Sequence, residues 1–358
     1  MDLFARLTRL GHEQVVFWQD EASGLRAIVA IHNTTLGPAL GGTRMYPYAT
    51  EAEALDDVLR LARAMTYKSA AAGLDLGGGK AVIIGDPHQK SEQLLRAYGR
   101  CVESLGGRYI TTTDVGTRTE DLDIIARETR YVVGRPPASG GSGDTSILTG
   151  KTVFLGMHAA AQVALGVQTL RGLSVAIQGA GKVGWHVMEH LATEGATLIV
   201  SDIDAEQARR AAQHFGARLV GVESIYDVEC DIFSPNALGG VLNARTIPRL
   251  RCRIVCGGAN NQLETPEDAD RLAERGILYA PDFVVNCGGV INVAEELAGY
   301  NAERAAARAA AVFDTTLRIL AMAERMKVNP AVAAERYAEE RIAAIAALHR
   351  SYIPGSPR

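Results

Sequence analysis

The sequence predicts an α/β protein of two domains, and three observations carry that prediction. Its 358 residues are long for a single hydrophobic core. Apolar strand-like runs alternate with helical ones, most strictly in the middle third, which implies a parallel sheet covered on both faces. Between the first and middle thirds, Arg135–Asp144 ("RPPASGGSGD") collects Pro, Gly and Ser and reads as a boundary or hinge. Composition agrees, with 47% hydrophobic and 22% charged residues, as in an ordinary globular protein.

Taken in order, "EQVVFWQD" and "LRAIVAIH" are β-rich runs separated by "EASG", a hairpin pattern. Thr50 followed by Glu53 is a capping-box start, and Leu55, Val58, Leu59 and Ala62 form the apolar stripe of the helix it opens. "KAVIIG" reads as a buried strand, "SEQLLRAYGRCVESLG" as a helix and "GRYITT" as another strand. The middle third gives strand "LSVAIQ", helix "KVGWHVMEHLATE", strand "TLIVSD" and helix "EQARRAAQHFG", then short strands in "CDIFSP", "CRIVCGG" and "GILYAPDF". The last sixty or so residues are Ala-rich and helical, with Asn329-Pro330 opening the final helix.

Several function classes are disfavoured. A net charge of −4 and the lack of any Lys/Arg run argue against a nucleic-acid partner. No segment reaches the ~18 apolar residues of a membrane helix, and the N-terminus lacks a signal-peptide core. Five cysteines without framework spacing suit a reducing compartment, so the expected location is cytoplasmic.

Three glycine-rich loops compete for a nucleotide. In "GLDLGGGKA" a P-loop would need glycine where Leu74 stands and a hydroxyl where Ala81 stands. "TGKT" at Thr149–Thr152 fails because Thr145 occupies the required first glycine. Gly179-Ala180-Gly181-Lys182-Val183-Gly184 passes: it follows an apolar strand, opens a helix, and is followed by Asp202 at the end of the next strand. Gly179 makes the tight turn, Gly181 lets the backbone approach a pyrophosphate, and Gly184 permits close helix–strand packing. The helix N-terminus offers free N–H groups to the anion. Asp202 suits an adenosine ribose and would repel a 2′-phosphate, which favours NAD over NADP. This is a Rossmann-type dinucleotide-binding pattern. On the same helix His186, Glu189 and His190 match an H-x-x-E-H zinc pattern, the basis of an alternative metallohydrolase reading. The helix is already committed to the dinucleotide turn, so no metal is assigned. Cys252 and Cys256 fit a buried strand better than a metal pair.

Lys68 and Lys80 lie in small, apolar surroundings. Converging there, one would bind a carboxylate while the other shuttles protons. Asp114 follows a strand directly, where α/β enzymes present reacting groups.

These residues stand in stretches that carry a resemblance: "LGPALGGTRMYPY", "AMTYKSAAAGLDLGGGKAVIIGDP", "GGRYITTTDVG", "GANNQL" and "APDFVVNCGGVINVAEE". In this order they resemble the Glu/Leu/Phe/Val amino-acid dehydrogenase family, most closely its leucine and valine enzymes. The resemblance implies reversible NAD-dependent oxidative deamination of an L-amino acid. It implies that Lys68 binds the substrate α-carboxylate, Lys80 is the general acid/base working through a water, and Asp114 exchanges protons with the amino nitrogen. Asn260 would contact the amine or oxo group and the cofactor, with Asn286 and Thr149 on the cofactor side. Gly41 and Gly42, with Gly77–Gly79, would let the backbone close around substrate. Leu40, Thr112, Val290 and Val293 would outline an aliphatic side-chain pocket; Leu40 and Val293 replace the polar groups that glutamate requires. A branched-chain substrate is expected, with an aromatic one (phenylalanine or tryptophan) or a catalytically impaired dinucleotide-binding homologue as alternatives.

Three departures stand out: Thr112 in place of alanine, Cys287 in place of the alanine of Asn-Ala-Gly-Gly, and Lys151–Thr152 in place of an aromatic or apolar residue and glycine. The expected organisation is a substrate domain over 1–137, a dinucleotide domain over 138–325, and terminal helices over 326–358 returning to the first domain. The site is expected in a cleft between domains that closes on substrate, in a homo-oligomer (dimer or octamer).

Overall fold

The structure, a computed structural model, describes residues 3–348. The chain divides into two compact units. The first holds the residues up to Asp144, Val293–Asn301, and those from Ala338 on; the second holds Thr145–Asn292 and Ala302–Tyr337. The division therefore falls at the end of the Arg135–Asp144 stretch and not after residue 137. The chain also re-enters the first unit at Val293, which no local pattern announces.

The first unit contains α1 (Leu3–Leu10), β1 (Gln14–Asp20), β2 (Leu25–Asn33), β3 (Ala39–Tyr46), α2 (Glu51–Ala71), β4 (Gly77–Ile84), α3 (Glu92–Ser104), β5 (Tyr109–Thr113) and α4 (Thr119–Ile125). Its sheet runs β1-β2-β4-β3-β5. The β1–β2 hairpin and the β2–β4 pair are antiparallel, and β3 is parallel to both β4 and β5. Helix α2 starts as its capping pattern predicts: the Thr50 side chain accepts from Glu53 N, and Glu53 accepts from Ala49 N. Its face of Ala54, Leu55, Val58, Leu59 and Ala62 packs with Ile28, Ala30 and Val82 of the sheet. Each large aliphatic so buried contributes roughly 1.5–3 kcal/mol.

The "GGGK" stretch is strand, not loop, so β4 begins three residues before "KAVIIG". A Cβ at Gly78 would lie 2.0 Å from the Thr66 backbone nitrogen of α2. Glycine here lets helix and strand touch. Strand β3 follows no alternating pattern because two of its residues, Gly41 and Gly42, have no side chain to pattern.

The second unit contains α5 (Ser146–Leu165), β6 (Ser174–Gln178), α6 (Lys182–Glu194), β7 (Thr197–Ser201), α7 (Ala205–Phe215), β8 (Arg218–Leu219), β9 (Ile232–Pro235), β10 (Ile254–Val255), α8 (Glu267–Glu274), β11 (Leu278–Tyr279), α9 (Asp282–Val285), all but the last two residues of α10 (Gly288–Ala294), α11 (Ala302–Ala310) and α12 (Val312–Met326). The last helix, α13 (Pro330–Leu348), begins in the second unit and ends in the first. The sheet order β11-β10-β9-β6-β7-β8 is wholly parallel. The order reverses at β6, and the crevice beyond that strand's carboxyl end is where such sheets bind dinucleotides. Two strands are shorter than their apolar runs suggest: "CRIVCGG" yields only Ile254–Val255, and "APDF" turns into α9 at Asp282. Cys252 and Cys256 flank β10 and are buried. No helix among the described residues is long and apolar enough to cross a membrane.

Candidate active site

In the first unit the chemistry gathers where β5 ends, beside the inner residues of β3 and β4. Lys80 lies in β4 with its side chain only 6% exposed, and its Nζ is 2.9 Å from Asp114 Oδ1. Asp114 sits just beyond β5 in a turn that Thr117 fixes. The Thr117 Oγ1 accepts from Asp114 N at 2.9 Å and donates to Thr43 O at 2.8 Å. The second carboxylate oxygen of Asp114 accepts from Arg44 Nε at 2.8 Å. Burial would push the Asp114 carboxyl up; the Lys80 ammonium, then the Arg44 guanidinium, overcome it and hold the group at about 2. Lys80 thus faces a carboxylate as counter-charge, which the pairing of two lysines did not anticipate. Lys68 lies half-buried in the last turn of α2.

The side-chain lining expected in this unit is buried. Leu40 is fully buried on β3, and Thr112 on β5 and Val293 are nearly so. Thr112 and Val293 meet at Gly134: a Cβ there would lie 2.5 Å from Thr112 Oγ1 and 3.4 Å from Val293 Cγ1. The Thr112 hydroxyl is buried and has no hydrogen-bond partner. Gly41 and Gly42 are packed by protein. A Cβ at Gly41 would lie 1.7 Å from Gly79 O, and one at Gly42 2.9 Å from Asp114 Cβ. Their bareness lets strands and the Asp114 turn approach one another, which is a different use from closing backbone around substrate.

In the second unit the Gly179–Gly184 turn has the geometry its spacing predicts. Gly179 takes φ +97°, a conformation that favours glycine. A Cβ at Gly184 would lie 2.0 Å from Gly179 O, so this glycine closes helix onto strand. At Gly181 the nearest side-chain atom to such a Cβ is Gln207 Nε2 at 3.9 Å, leaving an open face. Gly181 is also the N-cap of α6 and offers no side chain to its first-turn N–H groups. An open backbone at a helix start without a capping side chain fits a pyrophosphate. Asp202 accepts from Ala180 N at 2.6 Å and from Asp204 N at 2.8 Å. A carboxylate has about four lone-pair sites, so both oxygens keep capacity for ribose hydroxyls. Lys182 is exposed on the first turn, and Val183 packs against Gly258.

Asn286 and Asn260 come together: Asn286 Nδ2 donates to Asn260 Oδ1 at 2.9 Å and to the Gly258 and Ala259 carbonyls. Asn286 Oδ1 is buried with no partner in the protein. Thr149 donates to Thr145 O within α5, and Val290 is buried on α10.

Comparison with known proteins matches this chain to two family models: residues 12–131 to the Glu/Leu/Phe/Val dehydrogenase dimerisation domain, and 203–349 to Glutamate/Leucine/Phenylalanine/Valine dehydrogenase. It is 54% identical to leucine dehydrogenase of Geobacillus stearothermophilus, over 96% of this chain and 94% of that one. It is 56% identical to valine dehydrogenase of Streptomyces coelicolor, over 93% of each. The chain belongs to the Glu/Leu/Phe/Val dehydrogenase family. The crystal structure of L-tryptophan dehydrogenase from Nostoc punctiforme matches it with a TM-score of 0.84 at 45% identity, over 96% of this chain and 99% of that one.

Within this family fold the Lys151–Thr152 departure is accommodated. Thr152 is fully buried, and its hydroxyl donates to Thr149 O at 3.0 Å and accepts from Gly288 N at 3.1 Å, tying α5 to the start of α10. Cys287, beside Asn286, is also fully buried. The histidine motif divides between separate partners, with His186 on Glu189 at 3.1 Å and His190 stacked on Phe154 at 5.2 Å. Sequence reasoning missed Arg44 and Asp57, which hold the Asp114 carboxylate directly and at one remove, and Thr117, which fixes the backbone of its turn. Arg44 and Asp57 carry no local signature, and an arginine after two glycines and a threonine reads as a surface residue.

Proposed function

We propose that this chain catalyses the reversible conversion of a branched-chain L-amino acid, NAD⁺ and water to the 2-oxo acid, ammonium, NADH and a proton. The observation that carries this reading is the buried Lys80–Asp114 ion pair at 2.9 Å, in a chain 54–56% identical to leucine and valine dehydrogenases. NAD, when bound at the Gly179–Gly184 turn, supplies the hydride acceptor.

The remaining work belongs to the protein. Hydride leaves Cα only when the amine is neutral, so a base must first take an ammonium proton. Asp114 exchanges that proton with the amino nitrogen; once the hydride has left, Lys80, working through a water, serves the attack of water on the imine and the collapse of the carbinolamine to 2-oxo acid and ammonium. The Asp114 anion faces the positive charge that builds on nitrogen. Lys68 holds the α-carboxylate, Asn260 contacts the amine or oxo group, and Asn286 offers its unpaired oxygen on the cofactor side. Leu40, Thr112, Val290 and Val293 favour an aliphatic side chain, and a distal carboxylate among them would lose its hydration without replacement. The Asp202 carboxylate supports NAD over NADP by repelling a 2′-phosphate.

The match to a family model described as a dimerisation domain supports a homo-oligomer. Five buried free cysteines support a reducing, cytoplasmic location. NADH consumption with ammonium and a panel of 2-oxo acids tests the reading: 2-oxoisovalerate, 2-oxoisocaproate, phenylpyruvate, indolepyruvate and 2-oxoglutarate. The branched-chain acids lead if it holds. Preference for an aromatic acid keeps the reaction and overturns the pocket. Silence across the panel from folded, NADH-binding protein sinks the dehydrogenase reading.

A further inference from the structure

The Asp114 carboxylate is not an isolated partner of Lys80 but the end of a chain of charges. Its Oδ2 takes the Arg44 Nε hydrogen at 2.8 Å, and a second Arg44 nitrogen reaches Asp57 Oδ2 at 2.8 Å. Asp57 in turn accepts from Tyr48 OH at 2.7 Å and Arg60 at 2.8 Å. Arg44 comes from β3, Asp57 and Arg60 from α2, Tyr48 from the turn after β3, and Lys80 from β4. On β5, Tyr109 donates its hydroxyl to Gly41 O and not to Asp114. The side chains of Asp57 and Arg44 are only 15% and 22% exposed. That geometry is costly to assemble unless the fork of Arg44 is fixed, because each charge leaves water.

We propose that Arg44 is a positioning residue for proton transfer: held by Asp57, it fixes Asp114 as an anion and keeps its other oxygen on Lys80. The two faces of the carboxylate are thereby assigned. Oδ2 is oriented by the guanidinium, and Oδ1 is the oxygen turned to Lys80. Arg44 touches neither substrate nor cofactor in this role. Remove it, and Asp114 keeps the Lys80 pairing but loses a lowering charge while staying buried, so its protonation moves to higher pH. Lysine at this position restores the charge but not the two-pronged fork, so it rescues in part.

This rests on the reading of Lys80 and Asp114 as the proton-transfer pair, and the test separates the two. Steady-state rates for Arg44→Met and Arg44→Lys are compared with the native protein across roughly pH 5–10, using 2-oxoisovalerate, ammonium and NADH, as general-base profiles require. Arg44→Met is expected to lower kcat about 10- to 100-fold with KM for the oxo acid little changed, while the Asp114 carboxyl titrates at higher pH than in the native chain. Arg44→Lys is expected to return the Asp114 titration most of the way to native and to recover part of the rate. Two variants equally impaired, with Asp114 titrating as in the native chain, overturn the proposal, as does an unimpaired Arg44→Met. If Arg44→Met does not fold, Asp57→Asn is expected to give a smaller displacement in the same direction, and no displacement overturns it. The Asp114 carboxyl is also followed directly by carbon NMR titration, assigned by its loss in Asp114→Asn. It must titrate higher in Arg44→Met than in the native chain, and an unchanged titration overturns the inference even where turnover falls. A native protein silent on every oxo acid sinks the functional reading alone, since the NMR comparison still decides the role of Arg44.

Discussion

The two units make their sites from opposite materials. In the first, the proposed chemistry rests on side chains that constrain one another: Lys80, Asp114, Arg44 and Asp57 form a continuous set of ion pairs. In the second, the proposed cofactor site rests on side chains that are missing, at Gly179, Gly181 and Gly184, with the Asp202 carboxylate beside them. Glycine serves both units, but with different meanings. At Gly41 a Cβ would lie 1.7 Å from a backbone oxygen, whereas at Gly181 it would meet almost nothing. The first glycine is needed by the fold and the second leaves room for a ligand.

Alanine at each position turns that contrast into a measurement with the largest expected effect. Gly41→Ala has no flexible neighbour to move, so soluble folded protein should be lost. Gly181→Ala should fold with stability within about 1 kcal/mol of native, yet bind NADH roughly tenfold or more weakly because the methyl occupies the anion's approach. Calorimetry and NADH fluorescence read the two effects. A well-folded Gly41→Ala, or a Gly181→Ala with native NADH affinity, breaks the distinction.

Lys80→Ala comes next. It should cut turnover by about a thousandfold or more, with NADH affinity unchanged because the dinucleotide turn lies in the other unit. The protein should still fold, since Asp114 retains Arg44. Loss of NADH binding alongside turnover would show that the two sites are not separable in this way.

The two materials also differ in how far the sequence discloses them. The dinucleotide unit was legible because its requirements are local: Gly-x-Gly-x-x-Gly needs one strand and one helix, and "KVGWHVMEHLATE" coincides with α6. The α2 capping pattern was legible for the same reason. The ion chain was not, because residues 44, 57, 80 and 114 are brought together only by sheet order β4-β3-β5 and by α2 lying across it. Lys80 and Asp114 were visible from their surroundings in the sequence, with their roles supplied by family resemblance, whereas Arg44 and Asp57 needed the fold. The return of Val293–Asn301 to the first unit was equally hidden. Its basis is tertiary: Glu296 accepts from Gly134 N at 2.9 Å and from Ser142 N at 2.6 Å, tying the returning segment to the loop where the chain leaves. Short strands were overread wherever an apolar run continued past the last ladder pair, as at "CRIVCGG".

A pH dependence sharpens the account of the first unit away from its site. His32 is buried, with Nδ1 2.8 Å from Thr66 Oγ1 and Nε2 3.1 Å from Leu10 O, and His12 lies edge-on at 4.8 Å. Burial, then the neighbouring His12 and Arg63, hold His32 at about 4, against the pull of the Leu10 carbonyl. The unfolded chain titrates this histidine near 6.5, so between about 6.5 and 4 it binds more protons than the folded one. Stability present above pH 6.5 should therefore fall by roughly 2–3 kcal/mol as pH drops towards 4. His32→Gln should be less stable at neutral pH but flatter across that window. Parallel pH profiles of unfolding for the two proteins would assign the loss to other groups.

The smallest effect concerns the one polar atom in the proposed aliphatic pocket. Thr112 Oγ1 is buried beside Gly134 and Val293 without a partner, and such a hydroxyl costs about 1–3 kcal/mol relative to an apolar group of the same shape. Thr112→Val keeps the shape and removes the hydroxyl. It should raise stability by about 1 kcal/mol and improve kcat/KM for 2-oxoisovalerate and 2-oxoisocaproate several-fold alike, since neither offers the hydroxyl a hydrogen bond. Thr112→Ala differs because it also creates space, and should shift preference towards the larger acid. The pair of variants separates polarity from volume at one position. A Thr112→Val that loses activity on both branched-chain acids while gaining stability would mean that the hydroxyl finds a partner in the substrate complex. The side chain bound there would then be one that can answer it.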